Sequence, residues 1–310
     1  MEGMELMLIY VAGHRGLVGS AIVREIEAQG THTWVGESHS NLDLLDRSST
    51  LKYVLREKPD AMIIAAAVVG GIGANASEPV RFLSENLQIQ TNLIDAAHAA
   101  NIERVIFLGS SCIYPKYAPQ PIREDSLLTG LLEPTNEAYA IAKISGVELI
   151  KAYRNQFRRN WVSAMPTNLY GINDNFDLKT SHVLPALIGK FHEAKISKSE
   201  SVQLWGTGQP LREFLFADDL ANAVLYLLDR YDSDEPINIG TGEDLSISAL
   251  AKLISEIVGF TGSIYWDETK PDGTPRKVLD VSKMKNLGWS PTTDLTSGIK
   301  KTYDWYLKNV

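Results

Sequence analysis

Through its first half the chain alternates strand-length apolar runs with helix-length amphipathic stretches, and few architectures satisfy such a pattern. The apolar runs fall at residues 6–12, 33–35, 61–66, 104–108 and 161–165, and the helical stretches at 16–29, 48–57, 79–100 and 137–159. A run such as Met62-Ile63-Ile64-Ala65-Ala66 is apolar on both faces of a strand, so it needs cover from two sides. Helical crossovers of a fixed right hand supply that cover. The expectation is an α/β fold, a Rossmann-type doubly wound parallel sheet with helices on both faces.

After Tyr170 the regular alternation breaks. Short strand-like pieces at 202–205, 214–216, 237–239, 263–266 and 277–281 mix with loops and helices, which points to a smaller mixed α/β C-terminal domain. The expected division is a dinucleotide-binding domain over 1–170 and a substrate-binding domain over 171–310. Later crossovers back to the first domain are expected at about 213–242.

Composition narrows the partners. Hydrophobic residues make up 44% and charged residues 22% of the 310, which is ordinary for a folded globular chain. A formal charge of -8 opposes nucleic acid, whose binding depends on clustered Lys and Arg displacing counterions. No apolar run approaches the ~20 residues of a membrane helix, and the start Met1-Glu2-Gly3-Met4-Glu5 lacks the basic region of a signal peptide. The single cysteine, Cys112, leaves no internal disulfide and no multi-cysteine metal site. A cytoplasmic protein without a metal is expected.

The first apolar run leads straight into Gly13-His14-Arg15-Gly16-Leu17-Val18-Gly19, followed by a helical stretch. Glycines there permit a tight turn and close backbone approach, so a helix N-terminus can face a pyrophosphate. Arg15 suits a phosphate, since a guanidinium matches its geometry with paired hydrogen bonds. After the second strand the chain reads Gly36-Glu37-Ser38-His39-Ser40, where Glu37 favours the ribose hydroxyls of NAD while Arg15, Ser38 and His39 favour the 2′-phosphate of NADP. Asp43 either meets the adenine or caps the helix near Ser48.

The fourth strand ends in Gly109-Ser110-Ser111-Cys112-Ile113-Tyr114-Pro115, at the edge where ligands bind in open α/β sheets. Further on, Tyr139-Ala140-Ile141-Ala142-Lys143 puts a phenol and an ammonium one helical turn apart. The ammonium is expected to lower the Tyr139 pKa, so that the phenol trades a proton with a carbonyl or hydroxyl, with Ser110 as a second hydrogen-bond donor. Cys112, two residues past Ser110, shares its face if the segment is extended.

These residues, in this order, resemble the extended short-chain dehydrogenase/reductase family over essentially the whole chain. The segments Gly13 to Gly19, Gly70-Gly71-Ile72, Gly109 to Pro115, Glu133-Pro134-Thr135-Asn136, Tyr139 to Lys143, Pro166-Thr167-Asn168-Leu169-Tyr170-Gly171 and Lys270-Pro271-Asp272-Gly273 are similar to a narrower branch of it. That branch reduces GDP-4-keto-6-deoxy-D-mannose with NADPH after epimerising it at C3 and C5. The resemblance implies NADP(H) held by 13–19, Ser38, His39, Leu108, Gly109, Ser110, Ser111, Lys143, Pro166, Thr167, Asn168, Leu169 and His182. It implies a GDP-linked keto sugar held by Asn168, Lys190, Trp205, Arg212 and Asp272. Ser110, Tyr139 and Lys143 would serve the reduction. Cys112 and His182 would move the protons of epimerisation, for which their intrinsic pKa values on either side of neutrality suit them.

Related dehydratases carry an Asp-Glu pair where Ser111-Cys112 stand, which disfavours water elimination here. His39 stands where some relatives place a more basic residue. Two alternatives remain at this level: a nucleotide-sugar 4-epimerase or another reductase of the same family, and a non-catalytic dinucleotide sensor, which the retained Tyr139 and Lys143 oppose. Helical stretches 79–100 and 137–159 resemble those that form a four-helix homodimer interface in the family.

Overall fold

The computed structural model describes residues 6–178, 180–270 and 272–310. Residues 1–5 and Pro271, which entered the sequence reading, lie outside the described residues. The first half runs β1 (Leu8–Ala12), α1 (Leu17–Gln29), β2 (Thr33–Val35), α2 (Arg47–Glu57), β3 (Ala61–Ile64), α3 (Ile72–Ser77), α4 (Pro79–Ala99), β4 (Arg104–Leu108), α5 (Glu137–Phe157) and β5 (Asn160–Pro166). The second runs β6 (Asn168–Tyr170), α6 (Val183–Ile196), β7 (Ser201–Trp205), β8 (Leu211–Arg212), β9 (Phe214–Phe216), α7 (Ala217–Arg230), β10 (Ile237–Ile239), β11 (Leu245–Ser246), α8 (Ile247–Val258), β12 (Ser263–Asp267), β13 (Arg276–Lys277), α9 (Ser282–Asn286) and α10 (Leu295–Asn309).

Six strands form one parallel sheet in the order β10-β5-β4-β3-β1-β2. The two-residue period of a strand sorts their side chains. Ile9, Val11, Ile63, Ile106 and Val162 enter a core with α1 and α7, while Tyr10, Ala12, Met62, Ile64 and Phe107 enter another with α2, α4 and α5. This is the expected doubly wound sheet. Strand order reverses between β1 and β3, and the crevice at the carboxyl ends of those strands is where such sheets take ligands.

The second half of the chain contributes to the first core as well. Leu215 of β9, the buried face of α7, and Ile237 and Ile239 of β10 all belong to the first core, and β10 closes the sheet beside β5. A third core joins Tyr170 and Phe176 to α6, β7, α8 and α10. Among the described residues, no helix is long and apolar enough to cross a membrane.

Three local expectations need correction. The strand expected at 277–281 is confined to Arg276–Lys277, because the Leu279 N–H is taken by the Glu213 carboxylate at 2.8 Å and the remaining pairing is one bridge from Leu279 to Ile122. Asp46, not Asp43, caps α2, accepting from Ser48 N at 2.9 Å and Ser49 N at 3.2 Å. The third strand stops at Ile64, two residues early, where Ala66 comes against Gly13.

Candidate active site

The turn between β1 and α1 is built by glycine for a reason visible in its contacts. Gly13 has φ +85°, and a Cβ there would lie 2.8 Å from the Ala66 backbone. A Cβ on Gly19 would lie 2.1 Å from the Gly13 carbonyl oxygen. Helix α1 therefore begins against the turn itself, and its N-cap Gly16 supplies no side-chain acceptor for the first N–H groups. Those donors are free for an anion. His14 packs on Trp34 at 5.5 Å, and its buried Nδ1 has no partner among the described residues. Leu17 and Val18 are half-buried and Arg15 is exposed. An uncapped helix start, a glycine cradle and an orphaned polar atom fit the pyrophosphate and ribose of a nicotinamide dinucleotide.

At the end of β2, Glu37 accepts from Ser38 N at 2.8 Å and from Asn41 Nδ2 at 3.0 Å, and the Ser38 backbone bond above all holds its carboxyl below the usual range. Ser38 is buried, with its Oγ 2.9 Å from that of Ser40. His39 is exposed, 3.9 Å from Asp43.

The opposite wall follows β4. Leu108 and Gly109 end the strand, and Ser110 caps a short 3-10 turn over Ser111–Ile113, its Oγ accepting from Cys112 N at 3.1 Å. The extended course expected from Ser110 to Cys112 is thus replaced by a turn. The cap brings the Ser110 hydroxyl into hydrogen-bonding range of both Cys112 and Tyr139.

The Tyr139 ring lies edge-on to Phe82 at 6.5 Å, and Lys143 Nζ is 5.9 Å from its centroid. Lys143 is buried and donates to the Leu108 carbonyl at 2.8 Å beneath the face of Phe107. Burial lowers the Lys143 pKa to about 8. The expected lowering of the Tyr139 pKa does not occur: burial first, then the Cys112 charge, raise it, and the Ser110 hydrogen bond opposes them only in part. The reason is that the ammonium points at a carbonyl rather than at the phenol oxygen.

Cys112 has company that its sequence neighbourhood does not announce. Lys277 of β13 places Nζ 3.3 Å from the sulfur, and Asn136 Nδ2 lies at 3.5 Å. Burial works to raise the thiol pKa, but the Lys277 charge and the hydrogen bonds of Ser110 and Lys277 outweigh it and bring it below the ordinary value. His182 is the N-cap residue of α6 and is exposed over the residue as a whole, while its ring nitrogens are partly shielded by the protein. The protein around it, and then the Lys277 charge, lower its pKa. Lys277 was missed in the sequence because it stands 165 positions from Cys112 and belongs to no local pattern.

Pro166, Thr167, Asn168 and Leu169 carry β5 into β6, and Asn168 Nδ2 donates to the Glu213 carbonyl at 2.8 Å. Trp205 is 66% exposed, so it is not core, and the ammonium groups of Lys190 and Lys270 each lie 5.7 Å from its ring. Arg212 is half-buried; burial lowers its pKa, against the charges of Cys112, Asp272 and Glu133. Asp272 is committed to the turn below Trp205, accepting from Thr207 N at 2.7 Å and Thr207 Oγ1 at 2.8 Å. The structure therefore groups Ser110, Cys112, Tyr139 and Lys143 with Lys277 and His182, and sets Lys190, Trp205, Lys270, Arg212 and Asp272 on the adjoining lobe.

The NAD dependent epimerase/dehydratase family matches residues 9–240. GDP-L-fucose synthase 1 of Arabidopsis thaliana is 57% identical over 97% of this chain and 94% of its own. Among solved structures, a GDP-6-OMe-4-keto-L-xylo-heptose reductase from C. jejuni superposes with a TM-score of 0.95 at 34% identity, covering 99% of this chain and 100% of that one. A GDP-L-fucose synthetase from Naegleria fowleri bound to NADP has a TM-score of 0.90 at 29% identity, covering 97% and 94%. The chain is an enzyme of the NAD dependent epimerase/dehydratase family, takes a nicotinamide cofactor, and groups within that family with the proteins named GDP-L-fucose synthase.

Proposed function

We propose that this enzyme converts GDP-4-keto-6-deoxy-D-mannose to GDP-L-fucose, epimerising the sugar at C3 and C5 and then reducing its 4-keto group with NADPH. One observation carries the reading: a thiol held toward its anion by Lys277 at 3.3 Å stands beside a protonated phenol, with an imidazole under the same lysine charge. Epimerisation next to a ketone needs a base and an acid on opposite faces, and reduction needs a further proton donor. The named relatives support the GDP-linked substrate.

The N–H groups at the start of α1, with His14 and Arg15, take the cofactor phosphates, and Gly109, Ser111, Lys143 and 166–169 flank its nicotinamide half. Glu37 turns its carboxylate onto Ser38 and Asn41, which leaves Arg15, Ser38 and His39 to meet a 2′-phosphate. This favours NADP over NAD, in line with the NADP-bound relative. When bound, the cofactor supplies the hydride that reduces C4.

Cys112 acts as the base, since Lys277 favours its thiolate, and takes the proton that the neighbouring ketone has acidified at C3 or C5. His182 returns a proton from the other face from its protonated form, which the lowered pKa makes the minor one at neutral pH, so this step should quicken as pH falls. Tyr139, protonated at neutral pH, gives its proton to the C4 oxygen while Ser110 donates a second hydrogen bond. Lys190 and Arg212 neutralise the diphosphate, Trp205 offers a flat face to the base, and Asn168 meets the sugar. In functional terms residues 1–170, with the return at about 213–242, hold the cofactor and 171–310 hold the substrate.

Two copies associate through α4 and α5, whose exposed Val80, Ile141 and Phe157 suit a four-helix interface; sedimentation of a monomer at micromolar concentration would oppose this. The function itself is tested by incubation with GDP-4-keto-6-deoxy-D-mannose and either NADPH or NADH. GDP-L-fucose with NADPH preferred is expected. A 4-epimer formed without net NADPH consumption would replace this reading with that of a 4-epimerase.

A further inference from the structure

Glu213 lies between β8 and β9 with no exposed surface. A buried carboxylate persists only if its lone pairs are satisfied, and here they are met by N–H donors rather than by a cation. Oε1 accepts from Thr241 N at 2.6 Å, Gly242 N at 2.7 Å and Thr241 Oγ1 at 3.4 Å, and Oε2 accepts from Leu279 N at 2.8 Å. The main chain of the same residue makes three further ties, one of them from Thr167 Oγ1 to its carbonyl at 3.4 Å. Its N–H donates to the Lys277 carbonyl at 3.3 Å, and its carbonyl accepts from Asn168 Nδ2 at 2.8 Å. Room for the carboxylate exists only because residue 240 is glycine, where a Cβ would lie 2.1 Å from Oε1.

One side chain therefore grips the segment that bears Lys277 two residues beyond that lysine, while its backbone grips the lysine itself. Arg212 adjoins it in sequence. We propose that Glu213 is a positioning residue that sets the Lys277 ammonium against the Cys112 sulfur. The proposal rests on the reading of Cys112 as a thiolate base.

Because Cys112 is the one cysteine in the chain, the pH profile of alkylation by iodoacetamide reports on it alone. In Glu213→Gln the amide nitrogen must confront either the Leu279 N–H or the Thr241 and Gly242 N–H groups, donor against donor, and the Lys277 segment moves off. Alkylation at pH 7 should then slow about tenfold, with the profile displaced to higher pH, as expected when an opposite charge leaves a thiolate. Lys277→Met should slow it at least as much, and adding Glu213→Gln to that variant should slow it no further.

If Lys277→Met shifts the profile and Glu213→Gln leaves it as in the parent, or if the two losses add in full, the positioning role is overturned while the thiolate reading stands. If Lys277→Met itself changes nothing, both fall. Glu213→Asp keeps the charge but withdraws the oxygens by one methylene, and gives the same comparison should the glutamine form fail to fold.

Discussion

Gly19→Ala tests the cofactor cradle where the geometry is least forgiving. The new methyl would meet the Gly13 carbonyl oxygen at 2.1 Å, its carbon at 2.6 Å and the His14 Cα at 2.7 Å, all backbone atoms with no rotamer to escape into. Ordinary contact begins near 3.4 Å, so α1 must retreat from the turn by roughly 1 Å, at a cost of about 1–3 kcal/mol for overpacking. The retreat also withdraws the free N–H groups of the helix from the phosphates. Losing one charge-assisted hydrogen bond costs about 1.5–3 kcal/mol, equivalent to roughly 10- to 100-fold in affinity. NADPH fluorescence titration of the purified variant reads that loss directly, and an unfolding curve separates it from destabilisation. Gly30→Ala serves as the control: at φ +63°, with nothing within 4 Å of the added carbon, it strains the backbone far from any cofactor and should lower stability without changing affinity. Parental affinity in Gly19→Ala, or an equal loss in Gly30→Ala, would refute the placement of the cofactor at this turn.

Three further outcomes are expected. Tyr139→Phe should lose more than 100-fold in NADPH oxidation while solvent deuterium still enters C3 and C5, measured by mass spectrometry of the recovered sugar; loss of both together would place the phenol in the epimerisation as well. Trp205→Ala should raise KM about tenfold with kcat little changed and stability within about 0.5 kcal/mol, since the ring is largely exposed; an unaltered KM would remove it from the substrate site. Burial raises Asp174 from 3.8 to about 7, and its Oδ2 is buried without a partner among the described residues. Between those values the folded chain binds more protons than the unfolded one, so the contribution of this group to stability falls as pH rises. Asp174→Asn should therefore stabilise by about 1–2 kcal/mol more at pH 7 than at pH 5 in urea titrations, and equal gains at the two pH values would contradict the shift.

The sheet was legible in the sequence because its strands are apolar on both faces and its crossovers are amphipathic, two local periodicities that tertiary packing did not override. The short piece Ile237-Asn238-Ile239 reads as strand-like, and it forms β10 beside β5. What escaped were contacts between distant segments. Lys277 reads as an unremarkable lysine in a short strand, and only the fold brings it to Cys112. The direction of the Tyr139 shift escaped for a related reason: one-turn spacing fixes which helix face Lys143 occupies, but not that its ammonium descends to the Leu108 carbonyl. Asp43 and Asp46 differ by three positions, and both suit a cap by residue type. The backbone chose the second, whose side chain reaches the amides of Ser48 and Ser49, the second and third residues of α2.

The Tyr139–Lys143 pair and Cys112 sit side by side yet are shifted in opposite senses. Around Tyr139 and Lys143 burial dominates, so both shifts favour the neutral forms, and the phenol keeps its proton until an oxygen beside it becomes basic enough to take it. Around Cys112 burial is again the largest single influence, but the Lys277 charge and the hydrogen bonds of Ser110 and Lys277 together exceed it and favour the ionised sulfur. Such divergence is what separates donor from base when two titratable groups share one site. The centres are not independent, because the Cys112 charge is itself one of the causes that raise Tyr139. While the sulfur is ionised the phenol holds its proton more tightly, and protonation of the sulfur lifts that restraint. A change in the charge of Cys112 is therefore felt at Tyr139, and the two groups titrate as neighbours rather than separately.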